Sequence, residues 1–361
     1  MRWSKICALF GLLLVSINSF ATDVVNVYTT SNYITDSTVA DFERQCNCRL
    51  FLNYFSDPQE MAAKLAAGAT GYDVIIGTGY ALQDLHRMGK LSQLDLSKLP
   101  NLKNIDPKFL HQKFDPKNSF SVPYAYTPVF LAYNKTKLDK LGIIPNTWAV
   151  IFDDKYLKKL RGKVTVFDSQ RNVYAAALLY LGKDPNSSSP DDLAKARALI
   201  THASQYWARY DSTTYYRSLL NGEIWLAMSY SNDLYNTLQD AQKSHLPYQI
   251  AGMMQREGNM IELDNLVVPV SSKHKSLAYM FINTVLKEQS AFSLGQETGA
   301  SVPNLPAIRK LPTDLTVTNW IYPTQWQKIY GFSAYPPKTR IMVNEVWTEI
   351  KMECHQECST D

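Results

Sequence analysis

Apolar residues in the first hundred positions fall into short runs separated by amphipathic stretches. Residues 24–28 form a short apolar strand that runs into the polar, aromatic turn Thr29-Thr30-Ser31-Asn32-Tyr33. Asp36 stands where it can cap a helix carrying Val39 and Phe42, and 49–55 reads as a second strand. Asp57-Pro58-Gln59-Glu60 then supplies an N-cap, a first-turn proline and an acid at the capping-box position, ahead of a helix ending near Gly68. Residues 72–76 are a third, continuously apolar strand, followed by a helix over 81–88 with Gly89 as its stop. Alternation of this kind builds a parallel sheet covered on both faces.

The middle repeats the pattern. Two strands, 121–125 and 129–133, are joined by Tyr126-Thr127-Pro128, which reads as a crossing between lobes. A strand over 163–167 precedes an apolar helix over 172–181 that ends at Gly182, and Ser187-Ser188-Ser189-Pro190 caps another helix. Further strands are expected over 223–228, 248–253 and 261–269, and helices over 275–286, 289–299 and 340–353. No tandem repeat or low-complexity tract interrupts this order. Two α/β lobes with more than one crossing fit it best, and the mature length of about 340 residues suits two lobes better than one.

The amino terminus changes the setting. Arg2 and Lys5 precede an apolar run over 6–17 that is too short to span a bilayer, and Ser19-Phe20-Ala21 offers small residues at a cleavage site. Residues 1–21 therefore read as a cleaved signal peptide, against the alternative of an uncleaved anchor, and the protein is expected in the periplasm. Removing Arg2 and Lys5 takes the 37 basic residues to 35 against 33 acidic, a net charge of +2. That balance gives no reason to invoke nucleic acid, and local charge is left to decide the binding of a small ligand.

Four cysteines follow the leader: Cys46, Cys48, Cys354 and Cys358. In an oxidising compartment they imply one or two disulfides, with three connectivities open. The run Cys354-His355-Gln356-Glu357-Cys358 matches no common structural metal spacing, and Cys354 continues the apolar spacing of Val343, Trp347 and Ile350. Neither a metal nor a cofactor is expected.

No nucleophile elbow, HExxH zinc motif or P-loop is present. Gly77-Thr78-Gly79 mimics half of a dinucleotide fingerprint, but Leu82 occupies the third glycine position. It reads instead as a tight turn through which backbone and Tyr80 approach a ligand. On the strand over 261–269, Glu262 and Asp264 sit two apart and so share one face. An exposed edge strand shows the same alternation. In a cleft the pair suits a cationic ligand, with aromatic faces each adding roughly 0.5–2 kcal/mol by cation–π contact.

These segments, taken in order, resemble the periplasmic spermidine/putrescine-binding proteins, the receptors of polyamine ABC importers. The resemblance runs through residues 28–34, Tyr72 to Ile76 followed by Thr78 and Tyr80, Val122-Pro123-Tyr124 and Tyr133-Asn134, Gly222-Glu223 to Asp233, Leu263-Asp264-Asn265-Leu266 and Val302-Pro303-Asn304. It implies a two-lobed, Venus-flytrap α/β fold, each lobe a mixed sheet flanked by helices with hinge strands between. The lobes would comprise 22–127 with 264–306, and 128–263 with 307–361. It also implies a monomer that binds putrescine, spermidine or a related amine and docks on an inner-membrane ABC permease.

Carried over position by position, Ser31, Tyr33, Thr78, Tyr80, Tyr230 and Asp264 keep ligand-type chemistry. Asp264 would hold an amine, the three tyrosines would form aromatic walls, and Ser31 and Thr78 would be hydroxyl partners. Thr30 stands where the family commonly has Trp, and Asn32 where it often has Glu. Ser169 and Asn172 stand in place of the two second-lobe acids, Glu262 in place of a Trp, and Ala300 in place of a Tyr. Asp168 could supply an acid at the far end if its turn shifts by one residue. A different solute on the same receptor, an amino-acid derivative, a thiamine-like cation or an anion, is the alternative, and an exported enzyme on this scaffold a more remote one.

Overall fold

The computed structural model describes residues 23–55 and 58–358, the last six of these by backbone alone. The expected leader, the Asp57 cap and the side chains of Cys354 and Cys358 lie outside the described residues. Among the described residues ten strands form one sheet system: β1 (Val24–Thr29), β2 (Arg49–Tyr54), β3 (Val74–Thr78), β4 (Val122–Asn134), β5 (Val164–Val166), β6 (Arg209–Tyr210), β7 (Leu226–Tyr230), β8 (Ile250–Met253), β9 (Asn259–Val267) and β10 (Ile329–Gly331). Its order is β2-β1-β3-β9-β4-β7-β5-β6, with β8 on β4 and β10 on β9. β1 is parallel to β2 and β3, β5 is parallel to β6 and β7, and β9 runs antiparallel to both β3 and β4.

Two strands serve both lobes. Val25, Val27, Phe42, Val74, Val122 and Tyr126 belong to one core, whereas Val129, Phe130, Leu131, Trp148 and Phe167 belong to a second. β4 therefore passes from one core to the other between Tyr126 and Val129, and β9 does so between Met260 and Ile261. A third passage lies between Tyr322 and Phe332. Ala307, Leu311, Leu315 and Ile321 pack in the first core, not in the second lobe where residues 307–361 were expected. The tertiary reason is local: the Ser301 hydroxyl donates to the Ile321 carbonyl at 2.5 Å, and Tyr322 sits edge-on against Tyr126.

β4 also corrects the sequence reading, because it is one buried thirteen-residue strand and not two strands with a break. Proline is disfavoured inside a sheet because it cannot donate to the ladder. Pro123 and Pro128 nevertheless fall where β4 has β9 as its strand neighbour and pairing with β7 has not begun. The ladder there lacks a second partner strand to disappoint.

The helix over Asp36–Cys46 is capped by Thr35, not Asp36: Thr35 Oγ1 accepts from the Thr38 amide. Asp36 occupies the first turn, where a negative charge complements the helix dipole. That helix ends at a disulfide between Cys46 and Cys48, the pairing observed among the described residues. The intervening Asn47 adopts φ 50°, a left-handed conformation that lets the chain turn back into β2. No described helix is long and apolar enough to cross a membrane.

Candidate functional site

The carboxyl ends of β1 and β3 and the hinge portion of β9 meet at one place. In the β3–β9 ladder Thr78 stands opposite Asp264, and in the β4–β9 ladder Thr127 stands opposite Glu262. The two-residue spacing puts both carboxylates on one face, as the alternation requires. After β1 the turn passes through the exposed Ser31 and through Asn32 at φ 60°, which swings Tyr33 inward. The Tyr33 hydroxyl donates to Asp264 Oδ2 at 2.5 Å, and the Tyr33 carbonyl accepts from the Tyr124 hydroxyl at 2.5 Å.

Asp264 is a half-buried carboxylate on β9. Burial, partly countered by the Tyr33 hydrogen bond and reinforced by the charge of Glu262, pushes its carboxyl up to about 7. Among the described residues no Lys, Arg or His forms an ion pair with it. Thr78 Oγ1, on the facing strand, is buried and has no hydrogen-bond partner among the described residues. Burial and the Asp264 charge also raise Tyr33 well above the ordinary tyrosine range, so it stays a neutral donor.

Glu262 faces the second lobe. Its Oε1 accepts from the Tyr230 hydroxyl at 3.0 Å and from Asn172 Nδ2 at 3.0 Å. Tyr230 is stacked on Phe167 with ring centroids 4.3 Å apart, and burial, then Glu262, raise its hydroxyl pKa. Tyr80, from the helix Gly79–Arg87 of the first lobe, meets Phe332 of the second edge-on at 5.9 Å. Glu262, Tyr80, Tyr230, Ser169 and Asp168 all line one interlobe cavity of about 590 Å³. Asp264 and Tyr33 lie off that lining, on the first-lobe side along β9.

Two expected ligand contacts are otherwise engaged. Ser169 is the N-cap of the helix Gln170–Tyr180, its hydroxyl accepting from the Asn172 amide and from Asn172 Nδ2. Asp168 reaches the cavity wall, but its carboxylate accepts from Lys351 Nζ at 2.8 Å and from Trp347 Nε1 at 3.2 Å. Its charge is answered within its own lobe by a residue 183 positions away. Thr30 is partly buried at the end of β1.

The Gly77-Thr78-Gly79 turn owes its glycines to packing rather than to ligand approach. A Cβ on Gly79 would lie 2.4 Å from the Phe114 ring, and one on Gly77 would lie 2.8 Å from the Met61 methyl.

Sequence reasoning assigned no role to several charged residues near the cavity. Asp233 accepts from the Tyr215 hydroxyl at 2.6 Å, and burial raises its carboxyl. Asp211 lines the cavity; burial works against its charge, yet hydrogen bonds from Thr214 and Thr213 hold it below the usual carboxylate range. Arg171 is buried between the lobes beside Asn172. Asp233 sits in the first turn of the helix Ser231–Lys243 that follows β7, within the segment running from Gly222-Glu223, so its signal was present in the sequence.

A profile of bacterial extracellular solute-binding proteins matches residues 37–323. The chain belongs to that family, and it is a solute receptor rather than an enzyme. It is 37% identical over 350 residues to a putrescine/cadaverine-binding protein of Pseudomonas aeruginosa, covering 96% of this chain and 99% of that one. The putrescine-binding periplasmic protein PotF of Escherichia coli is 27% identical over 361 residues, covering 97% and 98%. Among solved structures, the spermidine/putrescine ABC transporter substrate-binding protein PotD of Streptococcus pneumoniae superposes with a TM-score of 0.80. That match has 24% identity and covers 92% of this chain and all of the other. At that identity the likeness establishes the two-lobed fold alone.

Proposed function

We propose that this chain is the periplasmic receptor of an ABC importer, closing on a short aliphatic diamine such as putrescine or cadaverine and presenting it to an inner-membrane permease. The carrying observation is Asp264: a carboxylate set into the interlobe hinge, raised to about 7 by burial, with no cationic partner among the described residues. A buried charge costs several kcal/mol unless paired, and a ligand ammonium would remove that cost. Glu262 and the faces of Tyr80 and Tyr230, which line the adjoining cavity, supply what an alkyl diammonium needs beside that anchor. The relatives that are named for putrescine and cadaverine support the same ligand class. The protein acts as a monomer after loss of residues 1–21.

Calorimetry on refolded, ligand-free mature protein tests this. Putrescine and cadaverine are expected to give saturable heat, and glutamate none. Asp264→Asn is expected to weaken diamine binding by about 3–5 kcal/mol, as when one partner of a buried ion pair is lost. Absence of heat with both diamines would end the diamine reading and leave the fold untouched.

A further inference from the structure

A second chamber of about 400 Å³ opens off the acidic cavity and shares Gln59, Tyr80, Gln170 and Asn344 with it. Its first-lobe wall is mostly apolar, from the alanines of the helix Pro58–Ala66 and from Leu85, with Asp84 as its carboxylate. Its second-lobe wall carries two guanidinium groups, Arg171 and Arg340. Arg340 is ion-paired with Asp84 across the lobes. Arg171 is 3% exposed and has no carboxylate in ion-pair contact among the described residues.

Neutral groups hold Arg171 in place. It donates to the carbonyls of Pro185 at 3.0 Å and Ser333 at 3.4 Å, to the Asn186 side chain and to the Tyr335 hydroxyl. Its guanidinium lies 4.6 Å and 4.5 Å from the ring centroids of Phe332 and Tyr335. Its Nε has no partner among the described residues. Burial lowers its pKa from the ordinary arginine value, while Tyr335, Tyr80, Asp184 and Glu262 act in the opposite direction. An arginine side chain stays protonated in proteins, so Arg171 adds a fixed positive charge whose hydrogen-bond partners among the described residues are all neutral.

We infer that Arg171 sets the length and charge limit of the solute: the acidic cavity accepts a diamine, and a longer polyamine is refused because its third ammonium would enter the chamber facing Arg171. The inference rests on the diamine reading above. Rejecting a competitor by a like charge, without adding an attraction for the favoured ligand, is an economical route to specificity. At a separation of several ångströms in a partly dry cleft, such repulsion is worth about one to two orders of magnitude in affinity.

The experiment is a titration of the mature protein with putrescine, cadaverine and spermidine. Wild type is expected to bind the diamines about 10- to 100-fold more tightly than spermidine, and Arg171→Gln to narrow that ratio to about threefold or less. Arg171 also ties down the segment around Ser333, so Arg340→Gln provides a second route. It lowers the chamber's positive charge by one while Arg87 still engages Asp84, and it should shift the ratio toward spermidine by about tenfold. Any effect on lobe closure would touch all three amines alike and leave the ratio unmoved. Equal wild-type affinities for putrescine and spermidine, or a ratio insensitive to both substitutions, would overturn the inference. Silence with all three amines would instead remove the diamine reading, and the inference with it.

Discussion

Asp264 carries a proton through most of the acidic range in the ligand-free protein, and the sign of the resulting pH dependence follows directly. Its folded-state value of about 7 lies above the ordinary 3.8. Its contribution to stability is therefore full below about 3.8 and is lost as pH rises through about 7. Binding an ammonium needs the ionised form, so diamine affinity should fall by up to about tenfold per pH unit below 7 and level off above it. Tyr33→Phe removes the hydrogen bond that holds this carboxyl down, and should move the midpoint of the affinity–pH curve above 7. Calorimetry between pH 5 and 9 reads both effects, and a flat profile from pH 6 to 8 would refute the assignment. At this scale the alternation of Glu262 and Asp264 was readable in the sequence, because a strand's period of two is local. The loss of Asp168 to Lys351 was not, because the pair is made by a helix that returns from the far end of the chain.

Elements add constraints that single residues conceal. β3 delivers Thr78 to the site, and Gly79 opens the next helix so that Tyr80 faces the second lobe. Phe114 packs against Gly79 so closely that any Cβ must displace its ring. Gly79→Ala is thus expected to destabilise the protein by about 1–3 kcal/mol, the usual range for overpacking a filled site. Urea denaturation followed by circular dichroism measures it, and an unchanged midpoint would contradict the account. The strands and helices of the first hundred residues were legible from hydrophobic period and punctuation, and the structure moves their ends by at most two residues. β4 was misread as two strands because its prolines look like breaks when the neighbouring strands are unknown.

At the scale of the molecule, the lobes touch on both flanks of the hinge strands. Tyr80 meets Phe332 and Asp84 pairs with Arg340 on one side; on the other, the Tyr235 ring covers Gly299 and its hydroxyl donates to the Gln296 carbonyl. A solute held between the lobes adds to these contacts only in the closed arrangement, so it must stabilise the protein by mass action. Putrescine at 100 times its Kd should stabilise the fold by about 2.7 kcal/mol, seen as a rise in Tm. The uncharged isostere 1,4-butanediol should leave Tm where it was, and an equal rise with both would show that charge is not what the cleft recognises.

The fold class and the first-lobe half of the site follow from the linear order of residues, because strand alternation, helix stops and the spacing of Glu262 and Asp264 are short-range properties. The partners of each charge depend on closing long loops, and no local pattern encodes them. Tertiary packing alone put Lys351 on Asp168, left Asp264 without a cation among the described residues, and buried Arg171 beside the cavity. Buried side-chain energies are set by whichever groups the whole chain brings within a few ångströms. The kind of receptor is thus written along the chain, and the charge pattern around its interlobe cavity is written across it.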